Sequence, residues 1–252
     1  MVIEFEQVGK SFSAGRFRRA RVRALDGVDW GCGSGEAVAV VGANGSGKTT
    51  LLRLLAGLLR PDCGTVRVGG RDPAGADREV KRRLGFLTGA AVPQPRLTAR
   101  ETLVLFARLH GMGAAEARRR AEDWIGRLGI SDFAGRPVGG LSAGMRQRVM
   151  VARCMVHDPE ILVLDEATTG LDPVAADAVC GIIDTARRDG RTVVFSSHAP
   201  VEVEMLATRL TILERGRIAF DDKPEALARA GEGFGPALVA RLRDGAGKEE
   251  DT

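Results

Sequence analysis

The stretch Ala37-Val38-Ala39-Val40-Val41-Gly42-Ala43-Asn44-Gly45-Ser46-Gly47-Lys48-Thr49-Thr50 decides what kind of chain this is. Five apolar residues in a row read as a short strand covered on both faces. The next eight fill every fixed position of GxxxxGK[ST], and a helical run over 50–59 follows at once. Buried strand, glycine-rich turn, then helix is the context in which this motif means a phosphate cradle. Gly42, Gly45 and Gly47 let the backbone curl so that successive N–H groups converge on one anion. The helix start adds the positive end of its dipole. Lys48 supplies a point charge for terminal phosphates, and the Thr49 hydroxyl suits Mg2+. A chance glycine-rich turn accounts for the spacing but not for the strand and helix on either side.

In bulk the surrounding chain is ordinary. Of its 252 residues, 44% are hydrophobic and 28% charged, a balance that excludes disordered and collagen-like chains. The length fits one large domain, or a core with a subdomain. No apolar run approaches the ~20 residues of a membrane span. Met1-Val2-Ile3-Glu4-Phe5-Glu6 lacks the layout of a signal peptide, so the expectation is a chain neither secreted nor itself crossing a membrane. Lys and Arg number 37 against 33 Asp and Glu, a mild +4. The cations are nearly all arginine, which reads as compositional bias and surface charge and raises no expectation of nucleic acid. Cys32, Cys63, Cys154 and Cys180 show no metal spacing and read as reduced core residues of a cytosolic protein.

Outward from the loop, apolar runs bounded by glycine alternate with amphipathic stretches, the pattern of an α/β sheet. Strands are expected at 2–8, 22–28, 64–68, 84–87, 161–164, 192–196, 210–213 and 217–220, and helices at 146–156 and 174–188. From 98 to 128 the period turns helical. Leu103, Phe106, Ala107 and His110 share one face, Met112-Gly113 breaks the run, and a second helix follows over 114–128. Residues 1–230 thus read as one domain with a helical subdomain inserted at about 97–145. Residues 231–252 read as a short extension with a frayed tail.

Three further clusters carry chemistry. Ile161-Leu162-Val163-Leu164-Asp165-Glu166 is an apolar strand ending in two carboxylates. It would bring Asp165 to the carboxyl edge of the sheet, where the phosphate loop also sits. There Asp165 can hold Mg2+, while Glu166, on the opposite side of the strand, can polarise a water. His198 follows the apolar run at 193–195 and can hydrogen-bond a γ-phosphate, whereas His110 and His157 read as structural. Leu141-Ser142-Ala143-Gly144-Met145 stands before a helix, and on local physics it is an amino-terminal cap.

Taken together and in order, these motifs resemble those of ATP-binding cassette (ABC) ATPases over nearly the whole chain. Leu84-Gly85-Phe86-Leu87-Thr88-Gly89, Arg96-Leu97-Thr98-Ala99-Arg100-Glu101 and Gly144-Met145-Arg146-Gln147 are most similar to the ATPase subunits of ABC-2 type exporters, including the sodium-extrusion and drug-resistance branches. The resemblance implies a P-loop NTPase fold: a RecA-like core with a mostly parallel sheet, an antiparallel β subdomain and a helical subdomain. It implies ATP and Mg2+ as ligands, with Lys48, Glu166 and His198 catalytic and Thr49 and Asp165 on the metal. Gly42, Asn44, Gly45, Ser46, Gly47, Lys48, Thr49 and Thr50 would cradle one nucleotide. Ser142, Ala143, Gly144 and Met145 would face the nucleotide of a second copy in a head-to-tail dimer, which is a homodimer or a pairing with a sister ATPase. Asp172 would communicate across that dimer, and Phe12 would stack on adenine, or Phe17 in its place, because the chain has no tyrosine.

Three positions depart from the family pattern. Gly89 stands where the family has a glutamine, with Gln94 five residues on; Met145 replaces the last glutamine of the signature; Ala167 replaces a proline after Glu166. The resemblance also implies a separate transmembrane permease, docked on the loop at 89–96 and the helical insertion. That would place the chain at the cytoplasmic face of the cell membrane, with the basic stretches at 16–23 and 118–120 able to lie near lipid headgroups. The rival readings are a soluble regulatory or assembly ATPase and a small kinase or GTPase. The last leaves 141–145 unexplained.

Overall fold

Alternation within Ala37–Val41 sets the layering, because successive side chains of a strand leave by opposite faces. Val38 and Val40 enter one buried core, and Ala37, Ala39 and Val41 enter another. The computed structural model describes residues 2–14, 20–75, 78–88, 94–228 and 233–246. The elements begin with β1 (Ile3–Ala14), β2 (Ala20–Cys32), β3 (Ala37–Val41), α1 (Lys48–Leu55), β4 (Cys63–Val68), α2 (Arg78–Arg83) and β5 (Leu84–Thr88). Three helices follow, α3 (Ala99–Leu109), α4 (Ala114–Arg127) and α5 (Ala143–Met155). The chain then runs through β6 (Ile161–Asp165), α6 (Pro173–Arg188), β7 (Thr192–Ser196), α7 (Pro200–Leu206), β8 (Arg209–Glu214), β9 (Arg217–Asp222) and α8 (Phe234–Ala246).

Two sheets result. The smaller is antiparallel with order β2-β1-β4, and the larger runs β5-β6-β7-β3-β8-β9, parallel except for β9. Leu51, Leu52, Leu54 and Leu55 of α1 share one core with Phe5, Trp30, Val38 and Val40, so α1 is held between the sheets. The buried Trp30 indole donates to Thr211 Oγ1 at 2.9 Å and ties β2 to β8. On the other face of the large sheet, residues of α3 to α8 pack into the second core. This is the P-loop NTPase architecture that the motifs imply.

Local chemistry starts the helices. The Thr98 hydroxyl accepts the Glu101 N–H while the Glu101 carboxylate accepts the Thr98 N–H, a capping box worth about 1 kcal/mol. At α6 the Asp172 carboxylate accepts the Ala175 N–H at 2.9 Å, and Pro173 opens the helix without needing a donor. Three helices escape the sequence pattern. In α2 only Val80 is buried, α7 is a single short helix of 7 residues, and α8 opens on Phe234-Gly235-Pro236. The first two are too short for several turns of apolar period, whereas α8 spaces Phe234, Leu238 and Leu242 onto the core behind a Gly235-Pro236 start that hides the period. The first two strands run longer than expected, because pairs such as Phe12 with Val22 and Ser13 with Arg21 extend them into an exposed hairpin arm.

His110 and His157 prove to be each other's neighbours. Their rings stack with centroids 3.6 Å apart, and His157 Nε2 lies 3.0 Å from the Leu84 carbonyl, joining the ends of α3 and α5 to β5. Burial drives the His157 ring down to about 4, helped by His110 and Arg153 and opposed by Leu84 and Asp158. Burial also lowers His110, with Arg153 and Arg82 adding to it. Rings kept neutral in the fold take up protons only on unfolding once pH drops below the usual histidine value of about 6.5. The stability they support is therefore full above pH 6.5 and is lost as pH falls toward 4. Denaturation midpoints should fall between about pH 7 and pH 5, and His157→Gln, which keeps a donor for Leu84, should flatten that decline. Parallel declines in both proteins would rule this pair out as the cause.

Candidate nucleotide site

Where β3 ends, the chain turns through 42–47 into α1. Gly47 has φ +109, a conformation that only glycine adopts cheaply, and a Cβ there would lie 2.4 Å from the Ala24 carbonyl. The loop is thus seated against β2. It also pairs within itself, Ser46 N–H to the Ala43 carbonyl at 3.1 Å, and against Gly216, whose N–H donates to the Ser46 carbonyl at 2.9 Å. The Lys48 ammonium is buried and donates to the Gly42 and Ala43 carbonyls at 2.7 and 3.1 Å. Burial pulls its titration below the usual lysine range, while Glu166 and Asp165 nearby act to raise it. Gly47 gives α1 no side-chain cap, no acidic residue occupies the first turn, and among the described residues the buried Ser46 hydroxyl has no hydrogen-bond partner. Open N–H donors, a positive helix end, a buried cation and an orphan hydroxyl fit an anion of the phosphate class.

The carboxylates reach the same edge by strand register. Val40 of β3 pairs with Ser196 of β7, and Ser196 pairs with Asp165 of β6. The Ser196 hydroxyl donates to Asp165 Oδ1 at 2.8 Å and accepts the Glu166 N–H at 2.9 Å. Buried Asp165 and the Thr49 hydroxyl are oxygen donors suited to a hard divalent cation. Contrary to simple alternation, β6 closes at Asp165, and Glu166 turns off the strand at φ +52, a left-handed conformation costing about 1–2 kcal/mol for a residue with a Cβ. Neighbours on three elements hold it there. Besides Ser196, the Gln147 amide of α5 donates to the Ala167 carbonyl, and the Thr168 hydroxyl donates to Glu202 of α7 at 3.0 Å. So placed, Glu166 Oε1 lies 3.0 Å from His198 Nε2, with both side chains partly open to solvent.

Buried Leu141 anchors the segment at 141–145, and the Ser142 hydroxyl caps α5 by accepting the Met145 N–H at 3.2 Å. The cap expected from local physics is therefore real, and it leaves Ser142 and Ala143 on the surface. Gly144 is packed close: a Cβ there would lie 3.3 Å from Asp172 Oδ2. The Asp172 segment and the start of α5 are thus side by side in one chain. Phe12 is 41% exposed and pairs across the strands with Val22, itself 55% exposed, on the sheet whose Ala24 seats the phosphate loop. Lys10 Nζ stands 5.8 Å from the Phe12 ring.

Gly89 and most of the loop at 89–96 lie outside the described residues, as do 16–19 of the first basic stretch. Gln94 is exposed and its carbonyl accepts the Leu97 N–H at 3.1 Å. Of the second basic stretch, Arg120 pairs with Asp158 at 3.1 Å and Arg119 with Asp123 at 3.5 Å, so these charges serve the fold's own surface. Ser196, Gln147 and Glu202 were not legible as site residues. The only signal was the placing of Ser196 at a strand end, and its role needs the register opposite Asp165. Gly47→Ala should weaken nucleotide binding at least tenfold and lower stability by about 1–2 kcal/mol, since the strain of φ > 0 adds to a contact with backbone that cannot swing away. Titration calorimetry and chemical denaturation would measure both, and an unchanged affinity would contradict this account of the loop.

Residues 25–169 match the family model described as ABC transporter. The chain is 40% identical over 207 residues to the ABC transporter ATP-binding protein NatA of Bacillus subtilis (strain 168), covering 82% of this chain and 84% of that one. It is 35% identical over 248 residues to the Nod factor export ATP-binding protein I of Paraburkholderia xenovorans (strain LB400), covering 96% and 79%. A solved dimeric, post-hydrolysis ATP-binding cassette bound to ADP and phosphate is similar with TM-score 0.79 at 27% identity, over 88% of this chain and 98% of that one. The chain belongs to the ABC transporter family, as an ATP-binding subunit.

Proposed function

We propose that two copies of this chain close head to tail on two ATP molecules, hydrolyse them with Glu166 as general base, and so drive export through a separate membrane permease. The observation that carries this reading is the meeting, at one sheet edge, of the phosphate loop with the Glu166–His198 pair, 3.0 Å apart. Lys48 and the N–H groups opening α1 hold the β- and γ-phosphates. Glu166 takes a proton from the attacking water as its oxygen adds to the γ-phosphorus and the bond to the bridging oxygen breaks, releasing ADP and phosphate. His198 holds a γ-phosphate oxygen and, through its contact with Glu166, keeps the base turned toward the water. Mg2+, when bound, neutralises charge on the phosphates, and Thr49 and Asp165 would hold it. Ser142, Ala143, Gly144 and Met145 meet the nucleotide of the second copy, Asp172 lies beside them, and the exposed Phe12 takes the adenine.

The dimeric cassette with ADP and phosphate among the similar structures supports the pairing, and the named export relative supports the direction. In this reading the membrane pathway belongs to another chain, and this one works peripherally on the cytoplasmic face of the membrane. Glu166→Gln should bind ATP normally, lose about 100- to 1,000-fold in turnover and elute as a dimer with ATP and Mg2+ present. Lys48→Ala should lose ATP binding itself. Tagged Glu166→Gln, drawn from detergent-solubilised membranes of its host with ATP and Mg2+, should bring down a polytopic membrane protein in stoichiometric amount. Wild-type turnover in Glu166→Gln would remove the assignment of the base, and a soluble partner in place of the permease would remove the transport coupling.

A further inference from the structure

Outside the groups assigned above, one carboxylate touches both arms of the hydrolytic site. Glu202 sits in the first turn of α7, and its Oε2 accepts two hydroxyls, Thr168 Oγ1 at 3.0 Å and Ser197 Oγ at 2.5 Å. Thr168 is two residues beyond Glu166, and Ser197 immediately precedes His198. Ser197 is itself buried, and its Oγ accepts the N–H of Ala199 at 3.0 Å, so His198 lies between two residues fastened to one hydroxyl. The two segments belong to different strand ends, and nothing in their own sequences sets the distance between them.

We propose that Glu202 is a positioning residue that sets the geometry between the general base and the histidine that turns it toward water. This rests on the roles given above to Glu166 and His198. The physical case is that Glu166 occupies a left-handed backbone conformation, φ +52, which persists only where the surroundings over-determine it. Ser196 fixes the start of that turn through the Glu166 N–H, and Glu202 fixes its far side through Thr168. The same carboxylate oxygen fixes the peptide before His198. One rigid acceptor shared by both arms turns two independently mobile segments into one unit.

The support beneath Glu202 is firm. Val203 and Leu206 of α7 are buried in the core, Pro200 opens the helix, and Gly235 at the start of α8 packs on Pro200. The carboxyl-terminal helix therefore backs the element that carries the brace. A carboxylate suits the task because it has only acceptor sites, so one oxygen takes both hydroxyl protons without competing for them. Glutamine in its place keeps the length but offers a single weaker acceptor oxygen and an amide that can only donate.

Thr168→Val and Thr168→Ser separate this from mere support of the fold. Valine matches threonine in shape and loses the hydroxyl, and serine keeps the hydroxyl and loses a methyl. Steady-state ATPase assays should show kcat down roughly 10- to 100-fold in Glu202→Ala and in Thr168→Val, with KM and ATP affinity unchanged and Thr168→Ser close to wild type. Glu202→Gln should fall between wild type and Glu202→Ala, and covers the case in which the alanine variant fails to fold. Because Glu202 acts through Glu166, Thr168→Val added to Glu166→Gln should cost nothing further in single-turnover hydrolysis, whereas a purely structural loss would multiply. The proposal is overturned if Thr168→Val keeps wild-type kcat, if Thr168→Ser is as impaired as Thr168→Val, or if kcat and affinity fall together with the melting temperature. Failure of the underlying reading looks different: Glu166→Gln would itself retain turnover.

Discussion

The parallel register of β6, β7 and β3 is the constraint on which the rest of the molecule depends. Parallel strands deliver their carboxyl ends to one edge of a sheet, and there the residue that follows each apolar run is freed from the core. Ser196 stands at the middle of that edge, paired with Val40 on one side and Asp165 on the other. A slip of one residue in either pairing would turn each strand's buried side chains to the opposite core and carry Asp165 away from the serine. The two cores resist such a slip, because the alternating valines and alanines of β3 belong to different clusters.

Around that edge the fold stores strain and then contains it. At Gly47 glycine meets a positive φ without cost, and the Ala24 carbonyl of β2 leaves no room for a Cβ there. Glu166 adopts a conformation that a side chain makes costly, and contacts from β7, α5 and α7 hold it there. The bond from Gln147 to the Ala167 carbonyl runs from the helix that Ser142 caps to the peptide after the base. Hence the capped segment at 141–145 and the peptide that follows Glu166 rest on one helix.

Much of this was legible along the chain, for identifiable reasons. Ala37–Val41 emerges with the limits read from its apolar run, and Thr192–Ser196 with the limits expected one residue beyond the run at 193–195, because a run buried on both faces is unbroken by polar residues. The break at Met112-Gly113 and the start of α3 at Thr98 are written in local chemistry, a capping box at one end and a φ of +93 at Gly111 at the other. By contrast α2 and α7 are too short to carry a readable period, and α8 hides the spacing of Phe234, Leu238 and Leu242 behind Gly235-Pro236. The stacking of His110 on His157 joins residues 47 apart in sequence, beyond the reach of any spacing rule.

The sequence by itself determined the phosphate loop, the two carboxylates after an apolar strand, the histidine after another and the capped segment at 141–145. Each is a short-range pattern in which the residue types and their chemistry are inseparable. Only the tertiary structure decided how these pieces face one another. The left-handed turn at Glu166, the hydroxyl of Ser196 between two acidic residues, and the reach of Glu202 to both arms depend on strand pairing and helix packing across long loops. A hydroxyl or a carboxylate looks the same in sequence whether it faces water or a buried partner. What distinguishes the two is the set of long-range contacts that forms only when the cores close.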